Sequence, residues 1–183
     1  IETMRCDVLS QGDLARLPDS PNIIYMAGRK FGTSDAPELT WAMNALAPAF
    51  VAERFPKSRL AVFSTGCVYP NVPVTSGGSR EEDPTTPEGE YAYSCIARER
   101  IFNYCAQKNG TLLSLIRLNY AIDLRYGVLL DIALKVWRGN DVDLTMGNVN
   151  VIWQGDANAA AIQSLGVASN PAFVRNVTGP ETL

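Results

Sequence analysis

Residues 59–69 read Arg59-Leu-Ala-Val-Phe-Ser-Thr-Gly-Cys-Val-Tyr69. Leu60 to Phe63 form an unbroken apolar run, too short for a helix, that ends at Ser64, Thr65 and Gly66. Such a run reads as a strand buried on both faces, with a polar tip at its carboxyl end. Strands apolar on both faces belong to parallel sheets covered by helices on each side. Two further runs have the same form: Asn22-Ile-Ile-Tyr-Met-Ala-Gly28 upstream and Thr111-Leu-Leu-Ser-Leu-Ile-Arg-Leu118 downstream. Helical patterns lie between them. One covers about 36–54, with Asp35 as N-cap, Glu38 as its capping-box partner and Pro48 as an expected kink. The other covers 90–109, closed by Gly110. Strand–helix alternation of this kind predicts an α/β fold with a doubly wound parallel sheet. Ligands of such sheets bind at the carboxyl ends of the strands. Gly28-Arg29-Lys30, Ser64-Thr65-Gly66-Cys67 and Asn119 all fall there.

Outward from this centre, 70–89 is a long Pro-, Gly- and Ser-containing loop, a length that in compact domains usually serves function. Its acidic run Glu81-Glu-Asp83 reads as loop surface. Val128, Leu129, Ile132, Ala133, Val136 and Trp137 recur at helical spacing before Gly139. Short strands are expected near 142–145, 149–153 and 173–178, and Asp156 can cap a helix through Ala159-Ala-Ala-Ile162.

The composition removes several function classes. The chain has 183 residues, 46% of them hydrophobic and 19% charged, which suits a folded domain with a sizeable core. Its net charge is -3 and its pI about 5.0, so nothing favours general nucleic-acid binding. No apolar run is long enough to cross a bilayer. Histidine is absent, which excludes Ser-His-Asp hydrolysis and His-ligated metal sites. Cys6, Cys67, Cys95 and Cys105 are scattered without a Cys-x-x-Cys pair, so no metal site is expected. They read as reduced thiols of a cytoplasmic protein.

Ser64-Thr65-Gly-Cys-Val-Tyr69 followed by Tyr91-Ala-Tyr-Ser-Cys-Ile-Ala-Arg-Glu99 resembles the extended short-chain dehydrogenases/reductases, the NAD-dependent epimerase/dehydratase family. That family carries Ser/Thr at a strand end, then Tyr-x-x-x-Lys on the next helix, with Glu four residues on. The resemblance implies a Rossmann-type fold. It divides the chain into an incomplete dinucleotide-binding domain (1–123), a partial substrate-binding subdomain (124–150) and a return to the first domain (151–183). It implies NAD or NADP as cofactor. The contacts would come from Asp7 and Val8 at the adenine, Met26, Ala27 and Gly28 along the strand end, Asn44 from the helix, Tyr91, and Leu118 with Asn119. Val151-Ile-Trp-Gln-Gly-Asp156 and Arg175-Asn-Val-Thr-Gly179 resemble later segments of the family.

The resemblance further implies Tyr91 as acid/base, Thr65 as the hydroxyl orienting the same substrate oxygen, and Ser64 in support. A Tyr hydroxyl can pass a carbinol proton while hydride moves to or from nicotinamide, and a neighbouring Lys favours its phenolate. Cys95 stands at that Lys position. Without the cation, Tyr91 is expected to titrate near an ordinary phenol, about 10. Gly66 and Cys67 stand where sugar-nucleotide 4,6-dehydratases carry Asp-Glu, which disfavours dehydration. Thr-x-Cys67-Val-Tyr-Pro70 is instead similar to the Ser-x-Cys-x-Tyr-Pro segment of GDP-sugar 3,5-epimerases, which makes Cys67 a further acid/base candidate. No Gly-x-x-Gly-x-x-Gly opens the chain, so residues 1–183 are expected to be the middle of a longer protein, without the first β-α-β unit.

Two functions follow as expectations. One is an NAD(P)-dependent epimerase or reductase acting on a sugar nucleotide or related polyol. The other is a catalytically impaired NAD(P)-binding protein with a structural or regulatory role, favoured by the missing Lys. Apolar residues on more than one face of 36–54 and 90–109 lead to the expectation of a homodimer through these helices.

Overall fold

The computed structural model describes residues 2–32 and 35–183. The run at its centre forms strand β2 (Arg59–Thr65), with the boundaries read from the sequence. It is flanked by β1 (Asn22–Tyr25) and β3 (Leu113–Leu118). The last strand, β6 (Phe173–Val177), completes a four-stranded sheet of order β1-β2-β3-β6. Every pairing in it is parallel, and the registers Tyr25↔Val62, Thr65↔Leu118 and Leu118↔Val177 bring the carboxyl tips to one edge.

Alternate residues of β2 serve the two faces, as the pleat requires. Leu60 and Val62 join Phe102, Val51, Phe55 and Leu115 in one core beneath helices α3 (Ala47–Arg54) and α4 (Gly89–Asn109). Ala61 joins Ile116, Val177, Ala157 and Ala161 in a second core, beneath α6 (Gln154–Val167). Helices thus cover both faces, and the doubly wound α/β reading holds.

The chain leaves this frame once. β4 (Tyr120–Ile122) pairs in parallel with β5 (Val151–Trp153), and residues 124–150 lie between these two strands in sequence. They carry α5 (Val128–Trp137), none of whose residues is buried.

Three local expectations differ. The helix over 36–54 starts at α2 (Pro37–Trp41) with Ala36 at the N-cap position and no side-chain cap, so Asp35 and Glu38 form no capping box. Pro37, with no N–H to satisfy, occupies the first turn instead. Pro48 widens the helix rather than simply bending it. Its missing N–H removes the i+4 donor that the Asn44 carbonyl would have in an α-helix, and Ala42–Leu46 form a π-turn just before it, closed by the Ala47 N–H on the Ala42 carbonyl. The strand expected at 142–145 is absent. Asp143 instead accepts the Thr145 N–H at 2.9 Å in a local turn, and Leu144 is exposed, with no neighbouring strand to pair. A short helix that the pattern did not reveal, α1 (Gln11–Ala15), is capped by Ser10.

The first core holds an ionisable group. The Tyr25 ring packs on Phe102 at 5.2 Å, and its hydroxyl is buried without a partner. Burial pushes the Tyr25 phenol up to about 12. In the unfolded chain it ionises near 10. Its contribution is therefore intact below pH 10 and is lost as the pH rises toward 12. At pH 11 the loss amounts to about 1.4 kcal/mol. Tyr25→Phe should remove that part of the alkaline destabilisation, read as the difference in urea-unfolding free energy between pH 8 and pH 11. An unchanged difference would exclude Tyr25 as its source.

Candidate functional site

The tips of β1, β2 and β3 build the site. Beyond β1, Met26 and Gly28 are exposed and Ala27 is half-buried. Beyond β2, Gly66–Val68 form a single 3₁₀ turn, capped by the Thr65 hydroxyl, which accepts the Cys67 N–H at 3.2 Å. This turn lifts Cys67 to the surface while Val68 is fully buried. Beyond β3, the Asn119 N–H bonds the Val177 carbonyl and its side-chain amide reaches the Thr178 hydroxyl at 3.2 Å. The Asn119 Oδ1 lies so close to Gly66 that a Cβ there would sit 1.8 Å from it. Gly66 is thus the residue that lets the β2 and β3 tips meet.

Tyr91, in the first turn of α4, faces this edge. Burial, with Cys95 and Cys67 beside it, pushes the phenol above its ordinary range and outweighs the opposite pull of the nearby Thr65 side chain, which favours the phenolate. The expectation of a nearly ordinary phenol is therefore corrected: with no cation acting on it, desolvation is the largest effect. Cys95, one helical turn on, is fully buried against Val68, Ile96 and Tyr91. Burial also pushes its thiol up, against the opposing pull of Arg98 and of a Tyr91 hydrogen bond.

Asn44 sits in the π-turn and is fully buried. Its Oδ1 accepts the Arg29 N–H at 2.8 Å and Arg98 Nη2 at 2.7 Å. Its Nδ2 donates to the Arg29 carbonyl and to Ser94 Oγ, both at 2.9 Å. Ser94 Oγ in turn donates to the Tyr91 carbonyl at 2.8 Å. All four hydrogen-bonding positions of the amide are taken. The Asn44 side chain thus has no free group for a ligand; it fixes the β1 tip to the turn of α4 that carries Tyr91.

Ser64 is also turned inward. Its hydroxyl donates to Glu99 Oε1 at 2.5 Å. Glu99 forms a buried ion pair with Arg117, through Nε at 3.1 Å and Nη2 at 2.9 Å. Arg117 Nη1 continues to the Tyr69 hydroxyl at 2.6 Å and the Glu81 carbonyl at 3.1 Å. Glu81, read as loop surface, instead accepts the Asn176 N–H at 2.7 Å, and Asn176 Nδ2 holds the Ser79 carbonyl. The loop over 70–89 is thus pinned across β3 and β6. A lone acidic run carried no sign of this; the signal was Arg117, the one charged residue of a buried strand, since a charge there needs a buried partner.

Other expected positions lie apart from this cluster in their bonding. Asp7 shapes the turn before α1: its Oδ1 accepts the Leu9 N–H at 3.0 Å, and Val8 beside it is half-buried. Lys30, exposed beyond β1, holds its ammonium 4.9 Å from the ring centre of Tyr120. Leu118 is half-buried and packs against the second core. Among the described residues no cluster of potential metal ligands occurs, and no helix is long and apolar enough to cross a membrane.

Among solved structures, the fold is similar to RMD from Pseudomonas aeruginosa complexed with NADPH (18% identity, 98% of this chain and 68% of that one, TM-score 0.82). It is similar to a UDP-glucose 4-epimerase of Thermus thermophilus in complex with NAD (20% identity, 98% and 64%, TM-score 0.82). It is also similar to the Bordetella bronchiseptica enzyme WbmG in complex with NAD and UDP (22% identity, 98% and 58%, TM-score 0.79). The chain therefore spans between 58% and 68% of the length of these proteins. No curated protein matches the chain by sequence. The model of the NAD dependent epimerase/dehydratase family matches residues 1–121. That match runs through all three strand tips that build the site, and the chain belongs to the NAD-dependent epimerase/dehydratase family.

Proposed function

We propose that this protein is an NAD(P)-dependent epimerase or reductase acting on a sugar nucleotide, with Tyr91 as the acid/base. The observation that carries the reading is that the Thr65 side chain stands near enough to Tyr91 to act on its hydroxyl, at the carboxyl edge of a parallel sheet. The strand tips suit the nicotinamide and ribose end of a dinucleotide: Met26 and Gly28 are exposed there, and Arg98 Nε, just beneath, is a buried donor without an acceptor. When bound, such a dinucleotide supplies hydride acceptance and return. Met26, Ala27, Gly28, Leu118 and Asn119 would line that end and Asp7 with Val8 the adenine end, while Asn44 holds the β1 tip in place.

The chain's own part is proton transfer and positioning. Tyr91 takes the proton of a substrate hydroxyl as that carbon is oxidised and returns it on reduction. Thr65 orients the same oxygen. Cys67, exposed on the 3₁₀ turn, stands where it could move a proton at a neighbouring carbon. UDP or UDP-glucose is bound in several of the similar structures, which supports nucleotide-linked sugars as substrates. A homodimer through α2–α3 and α4 fits the exposed Trp41, Leu46, Tyr93 and Tyr104 on these helices.

A second reading, a cofactor-binding protein without turnover, is favoured by one observation: Cys95 puts a buried neutral thiol where the family's Lys is expected. The two part in one experiment. The full-length protein with NAD or NADP is mixed with UDP- and GDP-linked sugars, the reduced nicotinamide is followed by absorbance and the sugar by NMR. Epimerised or reduced sugar supports the first reading; dinucleotide binding with unchanged sugars throughout supports the second.

A further inference from the structure

Arg98 is 6% exposed and has no carboxylate partner among the described residues. Its Nη1 donates to the Phe63 carbonyl at 2.9 Å and its Nη2 to Asn44 Oδ1 at 2.7 Å, while Nε has no acceptor. Its guanidinium also stands over the Tyr25 ring, 5.8 Å from the ring centre. A buried cation held by neutral acceptors and a ring face, with no carboxylate, is costly, and its charge remains uncancelled. Helical side chains lean toward the N-terminus, so Arg98 reaches back over the turn that holds Cys95. The guanidinium ends directly beneath the β1 tip: a Cβ on Gly28 would lie 2.3 Å from Nη2. Gly28 itself is exposed. Only one glycine therefore separates the uncancelled charge from the surface where the proposed cofactor would lie.

We propose that Arg98 is the relocated cation of this site, taking over from one turn further along α4 the positive charge that Cys95 does not supply, and that Cys95 and Arg98 form a coupled pair. The proposal rests on the cofactor reading given above. A small neutral residue at 95 leaves room for the guanidinium to fold back, and the guanidinium leaves no tolerance for a second cation. Arg98 acts as a positioning residue for the β1 and β2 tips and as the source of positive potential for the electron-rich ribose oxygens of a nicotinamide dinucleotide.

The test is a double-mutant cycle in the full-length protein with Cys95→Lys, Arg98→Met and both together. Two readouts are taken: melting temperature without ligand, and the dissociation constant for NADH and NADPH by fluorescence. Arg98→Met should weaken dinucleotide binding about tenfold or more, and Cys95→Lys alone should lower the melting temperature by crowding two unneutralised cations. The double variant should regain both, because the cation then stands at 95 alone. Arg98→Lys, which keeps the charge without the forked contacts, should lose less affinity than Arg98→Met, and it serves in place of Arg98→Met if that variant does not fold. Additive melting temperatures and affinities would overturn the proposal. If the wild type binds neither dinucleotide, the function proposed above falls, while the melting-temperature cycle still decides whether the two positions are coupled.

Discussion

Tyr91→Phe is expected to reduce turnover by a factor of about 10²–10⁴, the usual contribution of a positioned acid/base, while the fold is unchanged. The ring stays packed against Cys95 and Val68. The hydroxyl removed lies beside Thr65 and Cys95, and Thr65 retains its cap on the Cys67 N–H. The pH dependence makes the assignment specific. Burial and the neighbouring thiols hold the Tyr91 phenol above the ordinary range of about 10. At pH 7 the hydroxyl is therefore almost wholly protonated: ready as an acid, scarce as a base. In the direction that needs the base, the rate should rise with pH and keep rising past pH 9. In the direction that needs the acid, it should be flat across neutrality. Tyr91→Phe should lose the rise together with the rate. The measurement is kcat against pH for both proteins with the sugar nucleotide that the wild type turns over. A variant as fast as the wild type, or one with the same pH profile, would remove Tyr91 from the chemistry.

The features that could be read from the sequence are those in which neighbouring residues carry the same message. β2 is apolar on both faces because both are covered, and its tip is polar because it stops at the site; hence Arg59 to Thr65 could be bounded from composition alone. Thr65 and Tyr91 are singled out by the resemblance of Ser64–Tyr69 and Tyr91–Glu99 to the family, and the structure sets these two side chains near each other. The misreadings have a common cause, which is that a side chain's partner lies far off in sequence. Asn44 matched a ligand-binding position, yet its amide is consumed by Arg29, Arg98 and Ser94. Ser64 matched a supporting hydroxyl, yet it turns to Glu99. Val142 to Thr145 had the residues of a strand but no neighbour to pair with. Arg98 stands in the Tyr91–Glu99 string with no role of its own, because nothing adjacent in sequence marks its partners. Helical spacing puts it three residues beyond Cys95, on the side that faces the sheet, and a charge on that side was the sign available.

Glu99→Ala should be the most destabilising single substitution in the site. Glu99 and Arg117 are 5% and 8% exposed, and the carboxylate holds Arg117 by two bonds besides accepting from Ser64. Removing it leaves a buried guanidinium without its counter-charge, at a cost of about 3–5 kcal/mol. That is a large part of a domain stability of about 5–15 kcal/mol, so the melting temperature should fall steeply. Replacing both partners is a different matter, because apolar side chains of similar volume remove the desolvation cost along with the attraction. Glu99→Leu with Arg117→Met should recover most of the stability lost by Glu99→Ala. It should not recover the loop. Arg117 also donates to the Tyr69 hydroxyl and the Glu81 carbonyl, and neither leucine nor methionine can replace those bonds. The double variant should therefore melt close to the wild type and yet be cut faster by protease within residues 70–88. Urea unfolding of the three proteins and limited proteolysis of the wild type and the double variant measure the two effects separately. If the double variant were no more stable than Glu99→Ala, the lost stability would not come from the unpaired charge. If its loop resisted cleavage as well as the wild type's, Arg117 would not be the clasp that holds the long loop across β3 and β6.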